Sequence, residues 1–228
     1  MSIFVLTIFF TFNFTTARSF EHQLEEQGRL FFQEIIITRQ WLAKHGGVYV
    51  PLETAGGVNP YLEMIDGVKS TIDCEGKIYT LKNPALVTRE LSEMNMREDK
   101  FRYNITSLNP INPNNTADAF ERESLMQFEN GVKSTQTFTD INGKRYFRYM
   151  GPLETTQACL KCHADQVYEV GDIRGGISVA IDAEEVSSKI SIARIYMSLS
   201  GISVVALIIL SIAYISRHFI RDLQSAQN

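Results

Sequence analysis

The order of helical and strand-like segments predicts an α+β protein, with a central, mainly antiparallel sheet and helices packed on it. A long amphipathic helix opens the domain, the pair Asn142-Gly143 has the pattern of a hairpin turn, and helical and strand periodicities alternate along the chain. The chain has 228 residues, of which 44% are hydrophobic and 21% charged. This composition indicates one folded domain with additional apolar segments.

Three segments have the pattern of helices in this domain. The first, 18–44, has apolar residues on one face and is expected to stop at Gly46. The second, 83–96, carries Pro84 in its first turn, where proline is tolerated. The third, 117–131, is closed by a glycine.

The strands are short and rich in β-branched and aromatic residues. They are expected at 76–81, 101–108, on both sides of the hairpin turn at 142–143, and at 173–182. Asp182 and Glu185 have the spacing of a capping box. A further helix is therefore expected to begin at Asp182 and to run on into the apolar C-terminal segment.

Two apolar segments flank the domain. Residues 195–216 carry no charge over 22 positions, enough to cross a membrane as a helix. Arg217 and Arg221 follow, which predicts a short cytoplasmic tail at 217–228. Residues 1–17 are expected to be a signal anchor or a cleaved signal peptide. Residues 18–194 would then face the periplasm from the inner membrane.

The formal net charge of −4 and the lack of a dense run of lysine and arginine argue against a nucleic-acid partner. The three cysteines and four histidines are unevenly placed, because Cys159, Cys162 and His163 lie within five positions. This Cys-x-x-Cys-His spacing is typical of c-type haem attachment, in which two thiols bond to the vinyl groups and the histidine binds the iron.

Other interpretations of the motif remain open. A zinc site would need a fourth ligand from Cys74, His22 or His45. A redox-active thiol pair is expected near a βαβ pattern, which this segment lacks. A disulfide within the motif would close a small, strained ring.

Several segments around the motif, in this order, resemble the family of extracytoplasmic c-type haem domains with a PAS-like fold, of the Tll type. They are "TRQWLAKHGGVYVP", "NPYLE", "LKNPALVTRELSE", "ITSLNPINPNN", "RYFRYMGPL", "CLKCH" and "VGDIRGGISV". The resemblance covers about 20–182. It implies a PAS-like sheet, a covalently bound haem c and a sensory role across a membrane.

The sixth iron ligand is left open by the sequence. The resemblance implies a cysteine ligand in the Tll-type branch, so Cys74 is the first candidate, with Met64 and His45 as alternatives. Arg174 is a candidate partner of a haem propionate, because arginine suits carboxylates. Further candidates for the sixth ligand are Met94, Met96 and Met150.

Two classes of function follow from the motif and the apolar segments around it. The first is a haem-based sensor of redox state or of a small gaseous ligand, which signals through an unidentified protein partner and allows a homodimer. The second is a membrane-tethered electron carrier. No acid/base group stands out near the motif, so the protein is not expected to be an enzyme. The segment after the membrane helix is too short for an output domain, so any output is expected to be supplied by a partner or to be missing from this chain.

Overall fold

The computed structural model describes residues 2–97, 101–163, 166 and 168–226. The chain divides into two units, Leu24–Ala183 and a second unit that combines Met1–Gln23 with Glu184–Asn228. The first unit contains all seven strands found in the described residues. It also holds the Cys-x-x-Cys-His motif, and the functional site is built within it.

The first helix, α1, runs over Ser2–Lys44. Leu24, Ile35 and Leu42 are buried at helical spacing and attach its second half to the domain. The helix stops at Gly46, whose φ of +78° is in the left-handed region that glycine adopts without strain. This stop confirms the sequence prediction.

A small three-stranded sheet follows α1. It consists of β1 at Val48–Pro51, β2 at Thr71–Cys74 and β3 at Lys77–Lys82 in the order β1-β3-β2, with antiparallel pairs. A short helix, α2, lies at Pro60–Glu63 between β1 and β2. The sequence predicted β3, which is confirmed, but it predicted a single sheet without β1 and β2, which is wrong. Strands β1 and β2 have four residues each, too few for a clear alternation of apolar and polar residues.

The larger sheet has four antiparallel strands in the order β4-β7-β6-β5. The turn between β5 and β6 contains Asn142 and Gly143 with φ of +53° and +80°, as the hairpin signal predicted. The strands are β4 at Phe101–Thr106, β5 at Thr135–Ile141, β6 at Lys144–Glu154 and β7 at Ile173–Asp182.

Two helices pack against this sheet. Helix α3, Pro84–Arg97, covers the free edge of β4, where Ser92 Oγ donates to the carbonyl of Tyr103 at 2.5 Å. Helix α4, Ala119–Glu129, packs on β6 and β7. Both helices were predicted at these places.

The core lies between α4 and the sheet, where Met150 is fully buried beside Leu125 and Phe128. Gly176 also lies in this core, where a Cβ would come within 2.4 Å of Cε of Met150.

The last long helix runs over Glu184–Ala226 and is numbered α6, since the short helix α5 lies in the loop before β7. Asp182 is the last residue of β7 and pairs with Tyr146 of β6, and α6 begins two positions later at Glu184. The predicted capping box also involves Glu185, whose side chain lies outside what the structure describes, so it stays a prediction.

Helix α6 contains a stretch, Ser191–Asp222, whose length and mean hydropathy of 2.3 would allow it to cross a membrane. This stretch includes the predicted span 195–216. Across the described parts of the chain, no other helix meets the same criterion. The membrane segment expected at 1–17 therefore stays a prediction.

Candidate functional site: a basic cleft beside the Cys-x-x-Cys-His turn

The motif lies in the loop that joins β6 to β7. The base of this loop is closed by backbone hydrogen bonds, from Thr155 N to Asp172 O at 2.8 Å and from Gly171 N to Thr155 O at 2.9 Å. The register of the two strands shifts after Leu153, immediately before the loop. Two buried strands therefore hold both ends of a functional loop, an arrangement common to binding sites.

The motif itself forms one tight helical turn. The amide of Cys159 donates to Thr156 O at 2.9 Å, and the amide of His163 donates to Cys159 O at 3.1 Å. The short helix α5, Leu160–His163, results. Residues four apart share one side of such a turn, which places Cys159 and His163 together. Cys162 belongs to the same turn, but its side chain falls outside what the structure describes.

His163 opens onto a cleft with an empty volume of about 920 Å³, which includes space open to solvent. The cleft also contains Arg39 from α1, Arg174 from β7, and Gln166 just after the motif. Its apolar lining comes from α2, α3 and the large sheet, and includes Leu62, Ile65, Leu86, Ile105, Ile111 and Leu153. Arg174, predicted as a site residue, is thus brought to the same cleft as His163.

The cleft is positively charged. Arg39, Arg89 and Arg174 line it, and among the described residues no aspartate or glutamate does. Arg89 has an acidic neighbour, Glu93, at 4.0 Å. The described residues give Arg39 and Arg174 no such partner, so within the described part of the chain these two positive charges have no counter-charge.

The environment of Arg39 reflects this imbalance. Its side chain is buried and donates to the carbonyl oxygen of Pro84 at 3.2 Å and to Oγ1 of Thr88 at 3.0 Å. Burial, together with the positive charge of Arg174, lowers the pKa of Arg39 to about 10. Neutral acceptors hold the guanidinium in place, but they do not neutralise it.

Two other polar atoms in the cleft lack partners. Nε of Arg174 and Oγ1 of Thr106 are buried and have no hydrogen-bond partner among the described residues. Thr106 is fully buried. Buried polar atoms are normally paired, so these two atoms favour a polar group that the described residues do not provide.

The pKa values of Cys159 and His163, the two motif residues whose side chains the structure describes, are both lowered. Burial raises the pKa of Cys159, but hydrogen bonds from Thr156 and the charges of Arg174 and Arg39 outweigh it, so the pKa is lowered overall. Burial lowers the pKa of His163, and the two arginines lower it further, against a hydrogen bond to Oε1 of Gln166 that raises it. A more acidic thiol and a neutral imidazole both suit bond formation and metal ligation.

The structure places the sixth-ligand candidates at scattered positions. Cys74 is exposed at the end of β2, and His45 is exposed just after α1. Met64 is 78% exposed, in a segment that contributes Leu62 and Ile65 to the cleft. Met94 and Met96 are exposed on α3, and Met150 is in the core. None of these residues lines the cleft, so the sixth ligand stays a prediction.

The chemistry of the donor set fits a metal that brings its own ligands. The described residues contain no group of three or more His, Cys, Asp or Glu side chains placed to hold a metal ion. A porphyrin supplies four nitrogen ligands to iron, and one histidine from the protein completes the proximal side. His163 alone is sufficient for that role.

Arg39, Gln166 and Thr106 were not predicted from the sequence as site residues. Arg39 had a detectable signal, because it follows Ile35 and precedes Leu42 on the buried face of α1. A charge on the apolar face of a helix needs a partner or a ligand. Gln166 and Thr106 carried no comparable signal, since polar residues in loops and at strand ends are ordinary.

Fold and site together define a class of protein: an α+β domain with antiparallel sheets, flanking helices and a Cys-x-x-Cys-His turn beside a basic cleft. The chain belongs to the Tll0287-like family, which it matches over residues 17–182. Among solved structures, the cyanobacterial heme-protein Tll0287 is similar, with 18% identity and a TM-score of 0.43. That match covers 70% of this chain and 96% of the other. No protein with a curated description matches significantly.

Proposed function

We propose that this protein is a membrane-anchored c-type haem protein in which Cys159 and Cys162 bond the porphyrin and His163 is the proximal ligand. One observation carries the proposal. His163 opens onto a cleft that contains Arg39 and Arg174 and, among the described residues, no acidic side chain. A haem has two propionate groups, and paired arginines without a counter-charge suit such anions.

The lining of the cleft supports the same ligand. Its apolar residues suit the flat faces of a porphyrin, and two of its buried polar atoms, Nε of Arg174 and Oγ1 of Thr106, have no hydrogen-bond partner among the described residues. When bound, haem supplies an iron that exchanges one electron or binds a diatomic gas. The chain's own part is to hold His163 neutral, to lower the pKa of the Cys159 thiol, and to neutralise the propionates.

The first test concerns attachment. The full chain, produced with a c-type haem maturation system, is run on a denaturing gel and stained for haem-dependent peroxidase activity. Wild type and Cys74→Ala should stain, because Cys74 is exposed and distant in sequence from the motif. Cys159→Ala combined with Cys162→Ala should not stain. Haem that is lost from the wild type on denaturation would refute covalent attachment.

For its role, we favour a sensor of redox state or of a small gas, with a PAS-like domain on the periplasmic side of the inner membrane. The chain connection supports this choice. Strand β7 carries Arg174 and ends at Asp182, and α6 begins at Glu184, so only Ala183 separates them. No proline or glycine then follows before Gly201. A short, stiff connection of this kind can pass a two-state change from a site to a membrane helix.

A membrane-tethered electron carrier is the second candidate function. The exposure of Thr156 and Gln157, next to Cys159, favours it, because a carrier must bring its haem edge close to a partner. A protein that only carries electrons would tolerate a flexible tether. A sensor would not, since its output depends on the connection.

Four Gly/Ser residues inserted after Ala183 therefore distinguish the two functions. For a sensor, the insertion should abolish the downstream response while haem staining and electron transfer to an added acceptor persist. An unchanged response would contradict sensing. If deletion of the gene also removed electron transfer to the acceptor, the carrier would be the correct function.

A further inference from the structure

Gln166 connects the proposed iron ligand to the loop that follows β4. Its Oε1 is within hydrogen-bond distance of Nδ1 of His163. Its Nε2 donates to the backbone carbonyl oxygen of Asn109 at 2.9 Å. All three residues line the same cleft. They form one continuous chain of hydrogen bonds from a backbone carbonyl to the imidazole.

The chemistry of the three groups fixes the direction of every hydrogen bond. A carbonyl oxygen only accepts, so the amide NH₂ of Gln166 must face Asn109. Oε1 then faces His163, and because this oxygen also only accepts, Nδ1 of the imidazole must carry the proton. In the neutral ring, the lone pair is consequently on Nε2.

We infer that Gln166 is the positioning residue of the haem site: it holds His163 as the Nδ1–H tautomer, keeps Nε2 free for iron, and ties this ligand to the loop at Asn109. The inference rests on the proposed function, because it assigns a role around the proposed proximal ligand. A hydrogen bond to the second nitrogen of a ligating histidine fixes its orientation and raises its basicity. Gln166 would therefore influence the iron as well as the ring.

The first experiment measures reduction potential in the haem-loaded full chain in detergent. Gln166→Leu removes the acceptor, so the imidazole becomes a weaker donor and the potential should rise. Gln166→Glu replaces it with a stronger, anionic acceptor, so the potential should fall. Gln157→Leu is the matched control, because Gln157 is exposed in the same loop, and it should leave the potential unchanged.

Two results would overturn the inference. The potentials of both Gln166 variants could coincide with that of the Gln157→Leu control, which would show that the hydrogen bond does not reach the iron. Alternatively, both variants could shift the potential in the same direction, which would indicate a general disturbance of the loop.

The second experiment needs no haem and separates this inference from the proposed function. The full chain with Cys159→Ala and Cys162→Ala is labelled with ¹⁵N-histidine, and long-range proton–nitrogen spectra report the tautomer of His163, assigned by its loss in His163→Gln. Gln166→Leu should shift the ring toward the Nε2–H form, whereas Gln166→Glu should retain Nδ1–H.

An unchanged tautomer in Gln166→Leu would overturn the inference even if haem binds. A changed tautomer would support it even if the haem proposal fails. The Gln166→Glu variant guards against misfolding, because it alters the same position while keeping an acceptor.

Discussion

Arg39 and Arg148 are buried to the same degree, 7% and 8% exposed, but they are neutralised very differently. Arg148, on β6, contacts Asp118 at 2.6 Å and Glu121 at 2.8 Å. Its Nη2 also donates to Oγ of Ser178 at 2.9 Å. Arg39, in the cleft, has only neutral acceptors among the described residues.

The difference distinguishes a region whose buried charge is neutralised by carboxylates from a region in which the described residues offer the buried charge only neutral acceptors. Burial of a charge is costly unless a partner compensates it. Around Arg148 the compensation is internal, since Glu121 is itself buried and also accepts from Asn104. Around Arg39 it is missing, and burial lowers its pKa to about 10. The same substitution should therefore reduce the stability of the haem-free chain strongly at Arg148 and only slightly at Arg39.

The largest effect is expected for Arg148→Met. It leaves the carboxylate of Glu121, which is 1% exposed, without its cation, so the free energy of unfolding should fall by about 3–5 kcal/mol. Urea unfolding of the full chain in detergent, followed by circular dichroism, measures this loss. Arg122→Met, at an exposed position on α4, is the control and should change stability by less than about 0.5 kcal/mol.

The double variant Arg148→Met with Glu121→Leu sharpens this test. It removes both charges at once and should recover part of the loss, because no unpaired ion remains in the core. A single variant as stable as the wild type would show that the charge network around Arg148 does not support the fold.

A smaller effect is expected from Gly175→Ala, on the cleft side of β7. The new Cβ would lie 2.4 Å from the backbone oxygen of Thr106, which cannot move without disturbing β4. The free energy of unfolding is expected to fall by about 1–3 kcal/mol. Gly176→Ala should cost less, since its Cβ meets mainly Cε of Met150, the end of a flexible side chain. The urea midpoints of the two variants measure this difference. A lower midpoint for Gly176→Ala than for Gly175→Ala would contradict this explanation.

Arg39→Met should change the free energy of unfolding of the haem-free chain by less than about 1 kcal/mol. The hydrogen bonds that the substitution removes are offset by the removal of a buried, unpaired charge. In the haem-loaded chain it should reduce the stabilisation gained from haem by about 1–3 kcal/mol, the value of a charged hydrogen bond. Urea unfolding of the haem-loaded chain measures the effect with haem. Urea unfolding of the chain with Cys159→Ala and Cys162→Ala measures the effect without haem. A loss in the haem-free chain as large as that of Arg148→Met would remove the contrast between the two regions.

The sequence predicted the elements that have long, regular patterns. Helices α3 and α4 and the hairpin at Asn142-Gly143 were confirmed because their signals are local: proline at a first turn, glycine at a stop, and a turn with two positive φ angles. The small sheet was missed because β1 and β2 have four residues each and pair only with β3. Pairing between such short strands depends on tertiary packing, which local pattern does not report.

The site was predictable only as far as the motif. Cys159, Cys162 and His163 carry a specific spacing, and the cleft beside His163 also contains Arg174, which the sequence singled out on weaker grounds. Gln166 reaches the carbonyl of Asn109, 57 positions away, and no sequence rule links those residues. Asp182 pairs with β6 at the end of β7, so the local signal of a helix cap at this residue competes with the pairing of the strand.

The smallest expected effect is a pH dependence in the cleft. Burial lowers the pKa of His163 below its usual value, and the positive charges of Arg174 and Arg39 contribute in the same direction. In the unfolded chain, histidine titrates near a pKa of about 6.5. Between these two pKa values the unfolded state binds more protons, so stability should decrease as the pH is lowered through this window and should level off below the folded pKa.

Urea midpoints of the chain with Cys159→Ala and Cys162→Ala, taken from about pH 7.5 to pH 4.5, measure this decrease. His163→Gln in that background should flatten the curve, whereas His45→Gln, at an exposed position, should not. Equal slopes in the parent chain and in His163→Gln would show that burial and the two arginines do not act on this imidazole.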